Sequence, residues 1–274
     1  MSPKKIRKSA VAGMFYPSNP EKLKKEIELL LEVSPPEIKI NDLLGIISPH
    51  AGYIYSGRTA AYGFNLLKDK VFKTVIIISP SHREYFPGVS VYDGSGFETP
   101  LGIAEVDEAV SERLTDKSKV IFRGSTGQEN EHAIEVQIPF LQVVLKNFRI
   151  VPVVMGDQGK MFVDDLAGKL SEVVDENTLI VASTDLSHYY TESTAQIMDS
   201  IVEKRVRAFE IAELEEDFNS GRCEACGAGP ILALLKCAWL KNKRKAYILN
   251  RNNSGETSGD YMKVVGYLSA AVCG

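Results

Sequence analysis

The sequence predicts an α/β fold: one three-layer domain with a mostly parallel central sheet flanked by helices. Three observations predict it. Short β-branched runs alternate with longer amphipathic segments, which is the pattern of a parallel sheet covered by helices. Three of those runs, around 43–48, 74–79 and 179–183, are apolar throughout, as strands buried on both faces must be. Each of the three leads directly into a motif ending in histidine.

The elements follow in order. Residues 20–33 read as a helix with Leu23, Ile27, Leu30 and Leu31 on one face, stopped by Pro35-Pro36. Residues 43–48 form a first buried strand and 57–67 a helix rich in small residues. Residues 74–79 form the second strand, with four β-branched residues from Val75 to Ile78. A strand is expected within 88–99, with Asp93-Gly-Ser-Gly96 as a turn. A helix over 106–114 and a short strand at 120–122 come next. Residues 132–145 are expected to be helical, with Pro139 kinking the helix or marking its first turn. A strand at 149–155, a helix at 161–174 and the third buried strand at 179–183 follow. Residues 194–212 read as one long helix and 227–240 as an apolar one. Strands at 245–250 and 262–272 close the chain. No repeat or linker divides the 274 residues, so 1–274 is expected to be a single domain.

Composition excludes several classes. Hydrophobic content of 44% supports a large core, and a net charge of −4 gives no reason to expect nucleic acid or an anionic membrane as partner. The basic start from Lys4 to Lys8 reads as a solvated terminus. No apolar run reaches the ~20 residues that span a bilayer, and no apolar h-region follows the basic start. Four cysteines do not make a disulfide scaffold, and a cytoplasmic location is expected.

All four histidines lie in loaded motifs. His50 ends Gly45-Ile-Ile-Ser-Pro-His, where Pro49 cannot donate to a sheet ladder and so ends the strand. Ser79-Pro-Ser-His82 repeats the device. If the two strands were neighbours, ~4.8 Å apart, the imidazoles would lie close enough to begin a metal site. Ser183-Thr-Asp-Leu-Ser-His188 offers Asp185 and His188 as ligand, base or orienting carboxylate. Within Glu131-His132-Ala-Ile-Glu135, His132 and Glu135 would share a helix face, and His132 reads as a supporting or substrate contact rather than a direct ligand. Cys226, before Gly227 at a helix start, is a candidate metal ligand whose thiol the helix dipole would acidify; with Cys223 it could alternatively be a redox dithiol. Cys237 and Cys273 read as core residues. Phe15 and Tyr16, in an apolar-aromatic segment, either fold over the site mouth and hold an aromatic substrate or pack against the body; Tyr53 and Tyr55 carry the same two readings.

Taken together, Pro49-His-Ala-Gly-Tyr53, Ser79-Pro-Ser-His82, Glu131-His-x-Ile-Glu135, Ser183-Thr-Asp-Leu-Ser-His188 and Cys226-Gly227 resemble the MEMO family (mediator of ErbB2-driven cell motility) over nearly the whole chain. The resemblance implies a LigB-like fold, that of the class III extradiol dioxygenases, which use non-haem iron. It implies His50, His82 and Cys226 as ligands of one metal ion, with the cysteine in place of the dioxygenases' carboxylate. It further implies His188 as an acid/base histidine, with Asp185 beside the metal. Iron(II) or copper is the expected metal, with zinc as the further option that a soft thiolate favours. The implied activity is a metal-dependent oxidoreductase on a small aromatic molecule. The alternative is a catalytically silent pocket that binds a peptide or metabolite. An AMMECR1-like protein and a radical-enzyme relative are the partners that family association suggests.

Overall fold

A computed structural model describes residues 5–34 and 40–274. Lys4 and the Pro35-Pro36 helix stop lie outside these residues. In chain order the elements are β1 (Ile6–Arg7), α1 (Pro20–Leu30), β2 (Leu43–Ser48), α2 (Arg58–Asn65), β3 (Thr74–Pro80), β4 (Val89–Tyr92), β5 (Gly96–Thr99), β6 (Gly102–Glu105), α3 (Glu108–Thr115) and β7 (Ile121–Gly124). There follow α4 (Ile138–Val144), β8 (Arg149–Met155), α5 (Lys160–Val173), β9 (Thr178–Ser183), β10 (His188–Tyr190), α6 (Glu192–Ala208), α7 (Ile211–Asn219), α8 (Ala228–Leu240), β11 (Lys245–Asn253), α9 (Gly255–Ser258) and β12 (Val264–Cys273).

Nine strands form one sheet in the order β10-β12-β2-β9-β3-β8-β4-β7, with β11 also paired to β12. Its centre, β2-β9-β3-β8, is parallel as the apolar runs require. Antiparallel pairings at β12-β2 and β8-β4 make the whole sheet mixed. Successive side chains of a strand point to opposite faces. Ile76, Ile78, Ile180 and Ala182 accordingly join one apolar cluster with α5, α6 and α8, while Val75, Ile77, Leu179 and Val181 join another with α1, α2 and α4. Helices therefore cover both faces, giving the three layers. Each buried Ile contributes about 1.5–3 kcal/mol by leaving water, so these strands are the rigid floor beneath the loops.

Two expectations are corrected. The 194–212 helix is two helices, because Phe209 takes a left-handed conformation (φ 58°) and its N–H caps Arg205 and Val206. The basic start is solvated only at Lys5 and Lys8 among its described basic residues. Ile6–Arg7 pairs with β5, and Arg7 is buried. Pro139 lies in the first turn of α4, where its missing N–H costs nothing.

Candidate metal centre

In register, Ser48 of β2 lies beside Ser183 of β9, and β9 runs beside β3. Three parallel strands thus end together, where open α/β sheets build their sites. β2 and β3 are not neighbours, since β9 separates them. His50 and His82 nevertheless meet, with ring centroids 5.0 Å apart, because both loops turn in over the end of β9.

His132 completes the group, with its ring 5.4 Å from His50 and 4.7 Å from His82. One potential ligand atom from each of the three lies within 4.8 Å of the others. Two nitrogens bound at about 2.1 Å to one ion span at most about 4.2 Å, so a small closure lets the three share a cation. The buried Nδ1 of His132 makes no hydrogen bond, a cost that a further partner would relieve. His132 therefore stands among the candidate ligands, beside the supporting or substrate-contact role expected of it. The reason is local. Residues 131–134 are an irregular turn rather than helix, so His132 and Glu135 do not share a face.

Two of the three imidazoles are held from behind. His50 Nδ1 lies 2.9 Å from Ser183 Oγ, and His82 Nδ1 lies 3.0 Å from Glu131 Oε1. Glu131 also accepts from the backbone N–H groups of His82 (2.7 Å) and Ala133 (2.9 Å). Burial alone would raise its carboxyl, but these donors and the nearby His82 hold it down at about 2. Burial, then the neighbouring imidazoles, lower His50 well below the usual range and His132 to about 4. Both rings are thus neutral near pH 7, the state that ligates metals.

Cys226 adjoins this group through His50, with Sγ 3.2 Å from Nε2, and accepts from the Asp185 N–H at 3.2 Å. Gly227 permits the approach, since a Cβ there would lie 2.5 Å from Ser183 O. The expected acidification by the helix is overturned: burial, then the Asp185 charge, push the thiol up. Cys223 is buried and its thiol is pushed up to about 12, mainly by burial, and all four cysteines are free. Cys237 and Cys273 are core residues.

Asp185 is buried and accepts from His50 N–H at 2.8 Å; burial raises its carboxyl. His188 opens β10, its N–H donating to Glu224 at 2.8 Å, and it lies within electrostatic reach of both His50 and Asp185. Phe15, half-buried, sets its ring 5.0 Å from His132. Tyr16 and Tyr53 are corrected. Both are 3% exposed, with hydroxyls committed inward to Glu135 (2.6 Å) and Val136 O (2.8 Å), so neither presents a free face to a substrate. Tyr55 is exposed.

Sequence reasoning missed Glu131, Ser183 and Gln137, whose amide donates to Ser183 Oγ at 2.8 Å and to Pro49 O at 3.0 Å. The signal available was polar residues bracketing each histidine motif in otherwise apolar surroundings. Among the described residues no helix is long and apolar enough to cross a membrane.

Residues 7–271 match the family model described as Memo-like protein. A MEMO1 family protein of Thermoplasma volcanium is 38% identical over 269 residues, covering 98% of each chain. One from Methanocaldococcus jannaschii is 37% identical over 285 residues, covering 98% of this chain and 99% of its own. The crystal structure of an uncharacterized protein from Escherichia coli K12 superposes with a TM-score of 0.53 at 13% identity, over 84% of this chain and 99% of that one, a likeness of fold alone.

Proposed function

The chain belongs to the Memo-like family, and from that premise we propose a metal-dependent oxidoreductase, dioxygenase-like, acting on a small aromatic molecule at the histidine centre. The observation that carries this reading is the convergence of three imidazoles, His50 and His82 from loops at the ends of parallel strands and His132 from the turn before α4. His50 and His82 would hold the ion, with Cys226 as the sulfur ligand and His132 as a further nitrogen. The mixed nitrogen and thiolate set suits iron(II) or copper, with zinc as the competitor. A bound redox metal would supply open positions at which substrate and O₂ meet.

The protein's own residues do the rest. Phe15 offers an apolar face to an aromatic ring beside His132. His188 is the imidazole free to move a proton, since its side chain is not tied into the histidine group and its backbone is anchored by Glu224. Asp185 fixes the His50 backbone. A second reading, a silent pocket for a peptide or metabolite, draws on the exposed Tyr189, whose ring lies 5.8 Å from that of His188.

Elemental analysis of anaerobically purified protein beside His50→Ala, followed by O₂ uptake with catechols and phenols, tests the proposal. About one equivalent of iron or copper, lost in the variant, with uptake on one of the substrates, supports it. Metal without uptake leaves the binding reading, and one equivalent of zinc with ester or amide hydrolysis moves the assignment to a hydrolase. No metal after reconstitution removes the enzyme mechanism.

A further inference from the structure

The hydrogen bonds behind two of the histidines bear on where the ring protons of His50 and His82 sit. The single proton of Ser183 goes to Ala133 O at 2.7 Å. Gln137 Nε2 already donates to the same hydroxyl oxygen at 2.8 Å. Toward His50 Nδ1, 2.9 Å away, that oxygen has only a lone pair left to offer, so Nδ1 must donate. His50 therefore carries its proton on Nδ1, and Nε2 is bare. Both Glu131 oxygens already accept backbone N–H groups, Oε2 from His82 and Oε1 from Ala133, so His82 Nδ1 at 3.0 Å donates to Oε1, and its Nε2 is bare too. The two relays meet at one residue: Ala133 gives its carbonyl to Ser183 and its N–H to Glu131. Ala133 directly follows His132.

Cys226 fits the same accounting. Its sulfur accepts from Asp185 N–H at 3.2 Å and lies 3.2 Å from the bare His50 Nε2, and the thiol proton has two acceptors in reach, that Nε2 and Asp185 O at 3.6 Å.

We propose that Ser183, Gln137 and Glu131 are the positioning residues of this centre: they lock His50 and His82 as Nδ1–H tautomers, so that both Nε2 lone pairs are presented to one cation. This rests on the reading of the histidines as a metal site. Groups that hydrogen-bond the outer nitrogen of a ligating histidine commonly carry a 10–100-fold share of metal affinity. Here two such partners are tied through one backbone residue, so each loop's position bears on the other's ligand.

The test is imidazole ¹⁵N NMR of the metal-free full chain, with calorimetric titration of Zn²⁺, Co²⁺ and anaerobic Fe²⁺ and Cu⁺. Wild type is expected to show Nδ1–H tautomers at His50 and His82. Ser183→Ala should release the preference at His50 with His82 retained, and Glu131→Gln should do the reverse. Each should weaken Zn²⁺ binding about 10–100-fold. Gln137→Met leaves the buried hydroxyl in place and should loosen His50 alone, so it serves if Ser183→Ala does not fold. An Nε2–H tautomer at either ring in wild type overturns the lock, as does unchanged Zn²⁺ affinity in the variants. Correct tautomers in a wild type that binds none of the four metals overturn the metal reading instead, and with it any centre to be positioned.

Discussion

Glu131 and Glu135 lie one turn apart in chain distance, at 1% and 0% exposure, yet they face opposite ways. Glu131 turns toward the histidines, bonding His82 Nδ1 and standing 3.4 Å from His132 Nδ1. Glu135 turns toward the N-terminal segment. It pairs with Arg7 at 2.7 Å and accepts from Ala10 N–H (2.7 Å), Val11 N–H (3.0 Å) and the Tyr16 hydroxyl. Arg7 spends its other donors on the carbonyls of Gln128 and Glu131. One buried carboxylate therefore orients candidate ligands, and the other clamps the loop that carries them. Burial and residue type are the same in both; the partners decide the role.

The comparison breaks most visibly at Glu135. Glu135→Ala strands the Arg7 guanidinium in the interior, and removing one partner of a buried pair costs about 3–5 kcal/mol. Urea unfolding at pH 7 is expected to show that loss. Less than about 1 kcal/mol would mean that water reaches Arg7 and that the clamp is not a single unit.

Acid sharpens the contrast at Glu131. Its carboxyl is held at about 2 in the fold, against an ordinary value of 4.5. A lowered folded pKa stabilises fully above the unfolded value and loses that contribution as pH falls from about 4.5 toward 2. A shift of this size corresponds to roughly 3 kcal/mol. Unfolding of the metal-free protein between pH 6 and pH 2.5 should therefore show a shallower acid limb in Glu131→Gln than in wild type. Parallel limbs would show that Glu131 is not held ionised by His82 and the two N–H groups.

These roles show what the sequence could and could not disclose. β3 was legible because its continuous β-branched run, Val75 to Ile78, is the pattern of a doubly buried strand, and the residues predicted for β8 match its bounds although Pro152 interrupts its run. His50 and His82 were legible because a Ser-Pro ends each run and leaves the histidine at a sheet end. The orientation of Glu131 was not, because residues 131–134 follow no helical or strand period from which a facing side could be read. The helix pattern that would pair His132 with Glu135 was the wrong period for that turn. Ser183 and Gln137 satisfy each other across 46 residues of chain, which no local pattern encodes. The break at Phe209 escaped for a similar reason, since a left-handed phenylalanine carries none of the glycine signal expected at a helix end.

A third glutamate of the same region gives the smallest effect and grades the other two. Glu129 pairs with Lys5 at 3.2 Å, but the two side chains are 70% and 53% exposed. Both charges remain solvated, and holding two long side chains in one geometry costs entropy that the attraction barely offsets. Glu129→Ala should shift stability by no more than about 0.5 kcal/mol, with metal content unchanged. Lys5 immediately precedes β1, which carries Arg7, so this pair is also the outermost tie between the two segments that Glu135 joins inside. If Glu129→Ala instead cost more than about 1.5 kcal/mol, the N-terminal strand would depend on its solvent edge, and the buried Arg7–Glu135 pair would not be the element that holds it.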